Sequence, residues 1–191
     1  MGDQGCSELL VQDTAAKLFQ TAALLLGNES EAVSLVEEAI AGVEIDPCAD
    51  GDRAKVLVQE HLVHAAIRKL SEREPESFAV STTDEGNAGG CIQDDDISAA
   101  GLSQEQLGYL LEGEGRGQLR NWLEHLTAAQ RAIFVERAML GQDNATTAEN
   151  LRTGAGEGAA GWTPEKVSEV FRQALCSLAT SLVHARTAQP A

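Results

Sequence analysis

Few groups in this chain are spaced for chemistry. His61 and His64 stand three apart with Glu60 beside them, a spacing that puts both imidazoles on one helix face where they could share a metal ion. No third ligand follows from the sequence, and the pair reads as partly solvated histidines. Asp94-Asp95-Asp96 offers adjacent carboxylates but lacks the Gly and closing Glu of a calcium loop, and it reads as a solvated run. Gly154-x-Gly-x-Gly has the composition of a phosphate cradle, yet no strand precedes it and no Lys-Ser/Thr pair or downstream acid follows it. Asn28-Glu29-Ser30 and Asn144-Ala145-Thr146 match glycosylation acceptors, which have meaning only in a secreted chain. Ser, Cys and His are not grouped as nucleophile and base. The expectation is therefore a non-enzyme with no catalytic residues, no cofactor and no metal. What remains is contact chemistry. Lys166, Ser168, Arg172 and Gln173 point outward from one predicted helix, with Glu165 and Glu169 beside them.

That helix needs a scaffold, and the last third of the chain supplies its signals. Leu119, Trp122, Leu123 and Leu126 recur at helical spacing. Thr127 with Gln130 predicts a capping box, Ile133, Phe134 and Ala138 share a face, and Gly141 is a stop. Thr146 with Glu149 predicts a second box for a short helix carrying Ala148 and Leu151. Thr163-Pro164-Glu165 is a strong start for a long helix with Val167, Val170, Phe171, Ala174, Leu175, Leu178 and Leu182 along one stripe. A short helix before a long one is the order of a helix-turn-helix. Upstream, three more helices are predicted. Residues 7–26 are rich in Leu and Ala and end at Gly27. Residues 31–43 place Ala32, Leu35, Val36, Ala39, Ile40 and Val43 on one face, and a third helix covers about 52–70 after a break at 47–52.

Composition agrees with an all-α chain. Of 191 residues, 43% are hydrophobic but only 4% aromatic, so Ala, Leu and Val must fill the core. The net charge is −16 and unevenly spread. Residues 1–70 hold 12 acids and 5 bases, 71–117 hold 11 and 2, and 118–191 hold 7 of each. Tight DNA binding by the chain alone is disfavoured, since that affinity comes from basic residues neutralising phosphates. A large basic partner, or delivery to DNA by one, is compatible with this balance. Residues 71–117, acidic and rich in Gly and Ser, predict a flexible extended linker with one short helix near 102–111. No apolar run approaches the roughly 20 residues of a membrane span. The first residues lack a charged-then-apolar signal, so a cytoplasmic location is expected. Cys6, Cys48, Cys91 and Cys176 are widely scattered, and a reduced state is expected.

The residues from Leu126 to Gly141 resemble region four of bacterial sigma-70 family transcription factors of the extracytoplasmic-function type. That pattern runs Leu-Pro-x-x-Gln-Arg-x-Val-Phe-x-x-Arg and then Gly. Leu126, Gln130, Arg131, Ile133, Phe134, Arg137 and Gly141 stand in its register. Ala148 and Leu151 match the first helix of the family's turn, and Val167, Phe171 and Ala174 match its recognition helix. Leu25, Gly27, Asn28, Ala32, Leu35, Val36, Glu38 and Ile40 likewise resemble region two. The resemblance implies two small helical domains, a region-two-like unit at 7–70 and a region-four-like helix-turn-helix at 118–186, joined by the 71–117 linker. It implies docking on core RNA polymerase through Leu35, Val36 and Glu38, and promoter DNA contact, weak alone, through Lys166, Ser168, Arg172 and Gln173.

The chain also departs from the family. Val33, Ser34 and Glu37 replace usual residues of region two. The stretch Ala54-Lys55-Val56-Leu57-Val58-Gln59-Glu60-His61 has no aromatic to stack on an opened base. Ten residues, 152–161, stand where the family has a tight turn, and their glycines predict a loop that loosens the angle between the two helices. A second reading follows from these departures: a sigma mimic that binds an anti-sigma protein without binding DNA.

Overall fold

The computed structural model describes residues 3–44, 50–80, 91–112 and 116–187, with side chains over 14–44, 50–80, 91–111 and 116–184. Among the described residues every regular element is helical, as the composition predicts. The side chains of Cys6, Leu9, Leu10 and Val11 lie outside the described residues, as do much of the 47–52 break with Cys48, and residues 81–90.

Local signals place the first three helices. Helix α1 (Asp3–Leu26) ends where Gly27 turns to φ +69°, a left-handed conformation that costs glycine nothing. Asn28 then caps α2 (Glu29–Ala41), its Oδ1 accepting from the amides of Ser30 and Glu31 at 2.9 and 3.2 Å. Asp50 caps α3 (Gly51–Arg73). The three pack together and bury Ala22, Leu25, Ala32, Leu35, Ala39, Leu62, Ala66 and Ile67. Alanine at so many of these sites lets the helix backbones come close, which is how a core with few aromatics closes. Ile40, predicted for the same buried face, is 40% exposed instead, at the edge of the stripe.

Where composition predicts a flexible linker over 71–117, the described residues there are packed. Helix α3 runs on to Arg73, and a single turn α4 (Pro75–Phe78) follows with Phe78 fully buried. Glu74 Oε2 and Ser77 Oγ accept from the amides of Ala128 and Ala129, satisfying free N–H groups at the start of a later helix. Ile92, Ile97, Leu102, Leu107 and Leu110 are also buried, the last two on α5 (Gln104–Glu112). Apolar residues spaced through the acidic run explain the difference. Each contributes about 1.5–3 kcal/mol on burial, enough to hold a charged segment down.

The C-terminal part begins with α6 (Arg116–Glu124) and α7 (Ala128–Phe134). The predicted Thr127–Gln130 capping box forms, with both of its hydrogen bonds present. A π-turn at Val135–Met139 continues α7. Helix α8 (Asn144–Ala155) is capped by Asp143, whose carboxylate accepts from the Thr146 amide at 2.7 Å; the predicted box from Thr146 and Glu149 is displaced by this earlier start. Thr163 Oγ1 accepts from the Lys166 amide at the start of α9 (Pro164–Thr187).

Residues 152–161 are not the loose loop their glycines predict. Helix α8 runs to Ala155, a 3-10 turn covers Gly156–Ala159, and Trp162 is buried with its indole N–H donating to the Phe78 carbonyl at 2.9 Å. Gly154 is the contact that explains the glycine content. A Cβ there would lie 2.6 Å from Ile67 Cγ2 and 2.7 Å from Ile67 Cβ on α3. We expect Gly154→Ala to destabilise the chain. Better helix propensity gains up to about 1 kcal/mol, but overpacking against a branched Cβ costs about 1–3 kcal/mol. A denaturation midpoint that rises in the variant would contradict this packing.

Helix α3 therefore lies along α8, and the first three helices share one buried cluster with α6 to α9. The seam carries a polar chain. His64 Nε2 meets Asn150 Oδ1 at 3.0 Å, and Asn150 Nδ2 donates to Glu136 Oε2 at 2.6 Å. Arg131 of α7 adds a bond to the Leu25 carbonyl of α1 at 3.3 Å.

Candidate nucleic-acid interface

The inner side of α9 is built first. Val167, Val170, Phe171, Ala174, Leu175 and Leu178 are buried, with α9 packed on α7 and α8. Phe134 bridges two rings, Trp122 at 4.8 Å edge-on and Phe171 at 6.2 Å. The Trp122 indole N–H donates to Ser177 Oγ at 3.1 Å and ties α6 to α9. Arg137 lays its guanidinium over the Phe171 ring, 5.1 Å from the centroid, which aims its nitrogens at the edge between α8 and α9.

The outer side carries the predicted contact residues, and nearly all of them are already engaged. Lys166 Nζ pairs with Glu169 at 3.1 Å. Gln173 Nε2 donates to the same Glu169 at 3.4 Å. Arg172 Nη1 donates to the Gln93 carbonyl at 3.2 Å. Ser168 lies close enough to the Asp95 carboxylate to help lower its pKa. Residues 91–100 thus lie across this helix, with Ile92 and Ile97 buried and Cys91 bonded to Cys176 of α9. The disulfide corrects the expected reduced state. The scattered cysteines are 85 positions apart in sequence, yet their Cα atoms are 5.9 Å apart, a separation a disulfide spans.

Asp95 is the centre of the arrangement. Asn144 Nδ2, in the first turn of α8, donates to Asp95 Oδ2 at 2.6 Å. Arg137 Nη2 donates to the Asp95 carbonyl at 3.0 Å and lies 3.7 Å from its carboxylate. The Asn144 bond, with Ser168 and the Arg137 charge, holds the Asp95 carboxyl below the usual carboxylate range against a smaller opposing effect of burial. Arg137, Asn144 and Ser168 thus form a cradle for an anionic oxygen at the α8–α9 junction, and the chain's own aspartate sits in it. Sequence reasoning names Ser168 but misses Asn144, Arg137 and Asp95 as partners. The flanking Ile92 and Ile97 were the available signal that the acid run is pinned rather than solvated.

The predicted polymerase-docking residues are placed differently. Leu35 is fully buried and Val36 nearly so, both in the packing of α2 with its neighbours. Glu38 is at the surface, paired with Arg68 at 3.2 Å and Lys69 at 3.6 Å. The open side of α2 carries Val33, 47% exposed, with Glu37 and Ile40 at helical spacing from it. His61 lies against Gly42 while His64 turns to Asn150, so the two rings are engaged in different directions. No protein-family model matches the chain, and no curated protein and no solved structure matches it significantly.

Proposed function

We propose that this chain is a sigma-70-like transcription regulator of the extracytoplasmic-function type, which binds core RNA polymerase and helps direct promoter-specific transcription initiation. The observation that carries the reading is the Arg137–Asn144–Ser168 cradle on the outer side of the α8–α9 pair. A carboxylate and a phosphate oxygen are recognised by the same charged and amide donors, so this surface suits a nucleic-acid backbone. Lys166, Arg172 and Gln173 extend it along α9 toward base edges. The helix order, the Thr127–Gln130 cap and the residues in family register support the same reading.

Polymerase does most of the DNA recruitment in this account. A charge of −16 opposes independent binding, and α3 offers no aromatic in its first turns for holding DNA open. Because Leu35 and Val36 serve the core, docking falls to the open side of α2, through Val33, Glu37 and Ile40 with Glu38 at its edge. Such a regulator works in the cytoplasm, without catalysis, cofactor or metal, and in two functional parts, helices α1–α3 and α6–α9.

The test is a mobility shift over promoter fragments with core polymerase present. Arg172→Glu should weaken a specific shift by about tenfold or more, since it replaces attraction to phosphate with repulsion. An undiminished shift would remove α9 from DNA recognition. The second reading is a sigma mimic that binds an anti-sigma protein without DNA. The acidic segment lying across α9 favours it. Binding to an anti-sigma protein with no shift under any condition would decide for the mimic.

A further inference from the structure

We propose that the Cys91–Cys176 disulfide is a redox latch: oxidised, it holds residues 91–100 across α9 with Asp95 in the cradle; reduced, it lets that segment leave and opens the cradle to phosphate. The statement about phosphate rests on the function proposed above; the release of the segment does not.

Placement is the first ground. Cys91 is the first residue of the covering segment, and Cys176 lies one turn beyond Arg172 on the covered helix. The bond therefore joins the cover to the surface it covers, and not two parts of the core. Access is the second. Cys91 is exposed and Cys176 partly so, which places the bond at the surface rather than in the core. The third is what remains without the bond. The polar ties are the Arg172–Gln93 and Arg137–Asp95 backbone contacts, the Asn144 bond to the Asp95 carboxylate and the Arg137 charge beside it, with Ile92 and Ile97 beneath. Those ties use the very donors that an external phosphate would use, so the two compete. A covalent tether wins such a competition by keeping the internal anion at high effective concentration.

The chemistry balances with a dithiol as reductant. One thiolate of the dithiol attacks Cys91 Sγ, the protein S–S bond breaks, and Cys176 leaves as a thiolate and takes a proton. The second thiol of the reductant then displaces Cys91 and forms the reductant's own disulfide. Two electrons and two protons pass to the protein, which ends with two thiols. A peroxide-class oxidant, through a sulfenic acid on one cysteine, closes the latch again with loss of water.

The experiment uses the full chain with Cys6→Ser and Cys48→Ser, so that the remaining thiols report on the pair. Amide hydrogen exchange is followed with and without dithiothreitol, and binding to labelled duplex DNA is read by anisotropy in the same two states. On reduction, amides of residues 92–101 should exchange about tenfold faster or more while those of α1–α3 keep their protection. Duplex binding should strengthen by about tenfold at low salt. A segment equally protected in both states overturns the latch. So does loss of protection throughout the chain, which would make the bond a structural staple. Release of the segment with no gain in DNA binding supports the latch and overturns the assignment of α9 to DNA. Asp95→Asn provides a second arm: in the oxidised protein it should loosen 92–97 while leaving α1–α3 unchanged, and an unaltered segment counts against the cradle as its anchor.

Discussion

Glu136→Gln should stabilise the chain at pH 7 by about 3 kcal/mol and abolish most of its loss of stability between pH 5 and 8. Glu136 is fully buried in the π-turn after α7, and desolvation pushes its carboxyl up to about 8, against a smaller downward effect of the Asn150 hydrogen bond. In the unfolded chain the same group ionises near 4.5. Between those two values the folded state holds a proton that the unfolded state has released. Stability therefore falls as pH rises through this window, and levels off above about 8. Glutamine keeps an oxygen for the Asn150 amide, which donates to Glu136 Oε2 at 2.6 Å. The other carboxyl oxygen, Oε1, has no partner, so no existing hydrogen bond is lost when an amide nitrogen replaces it. The variant removes the proton uptake that folding demands of Glu136 and little else. Urea denaturation of both proteins from pH 5 to 9 measures it. Parallel curves would mean that Glu136 is ionised or solvated in the fold.

Leu35→Ala should cost about 2–5 kcal/mol and shift one cooperative transition as a whole. Leu35 is fully buried beside Ala32 and Ala39 on α2, in a cluster continuous with Ile133, Phe134, Leu151 and Phe171 of the last four helices. The direct contact of Gly154 with Ile67 and the His64–Asn150–Glu136 chain cross the seam between the two halves. Loss of the α1–α3 packing therefore exposes α8 as well. Calorimetry checks the expectation. Two resolved transitions, with the later one unmoved by the substitution, would mean that the halves fold independently.

Helix starts were legible in the sequence because capping is local. Thr127 and Thr163 act within three residues of themselves, and each caps the helix that its spacing predicts. The buried stripe of α9 was legible for a similar reason, since one period defines it. What lay beyond local spacing was the partner of each surface. The glycines of 152–161 predict looseness by composition, yet Gly154 is small because α3 lies against it, a fact set by residue 67. Asp94-Asp95-Asp96 reads as solvated, yet Asp95 is held by Arg137 and Asn144 from over forty positions away. Leu35 and Val36 were placed at a partner by resemblance. Periodicity shows that they share an apolar face but not whether that face meets the fold or another protein. Their burial moves the open side of α2 to Val33 and Ile40.

Retention of core RNA polymerase on the immobilised full chain, at low salt and with dithiothreitol present, tests the central proposal most directly. The account predicts that polymerase is retained. It also predicts that a Val33→Asp, Ile40→Asp double variant, whose substitutions sit on exposed positions, reduces retention by about tenfold or more while leaving the thermal transition in place. Polymerase passing through unretained by the unaltered chain would contradict the proposal.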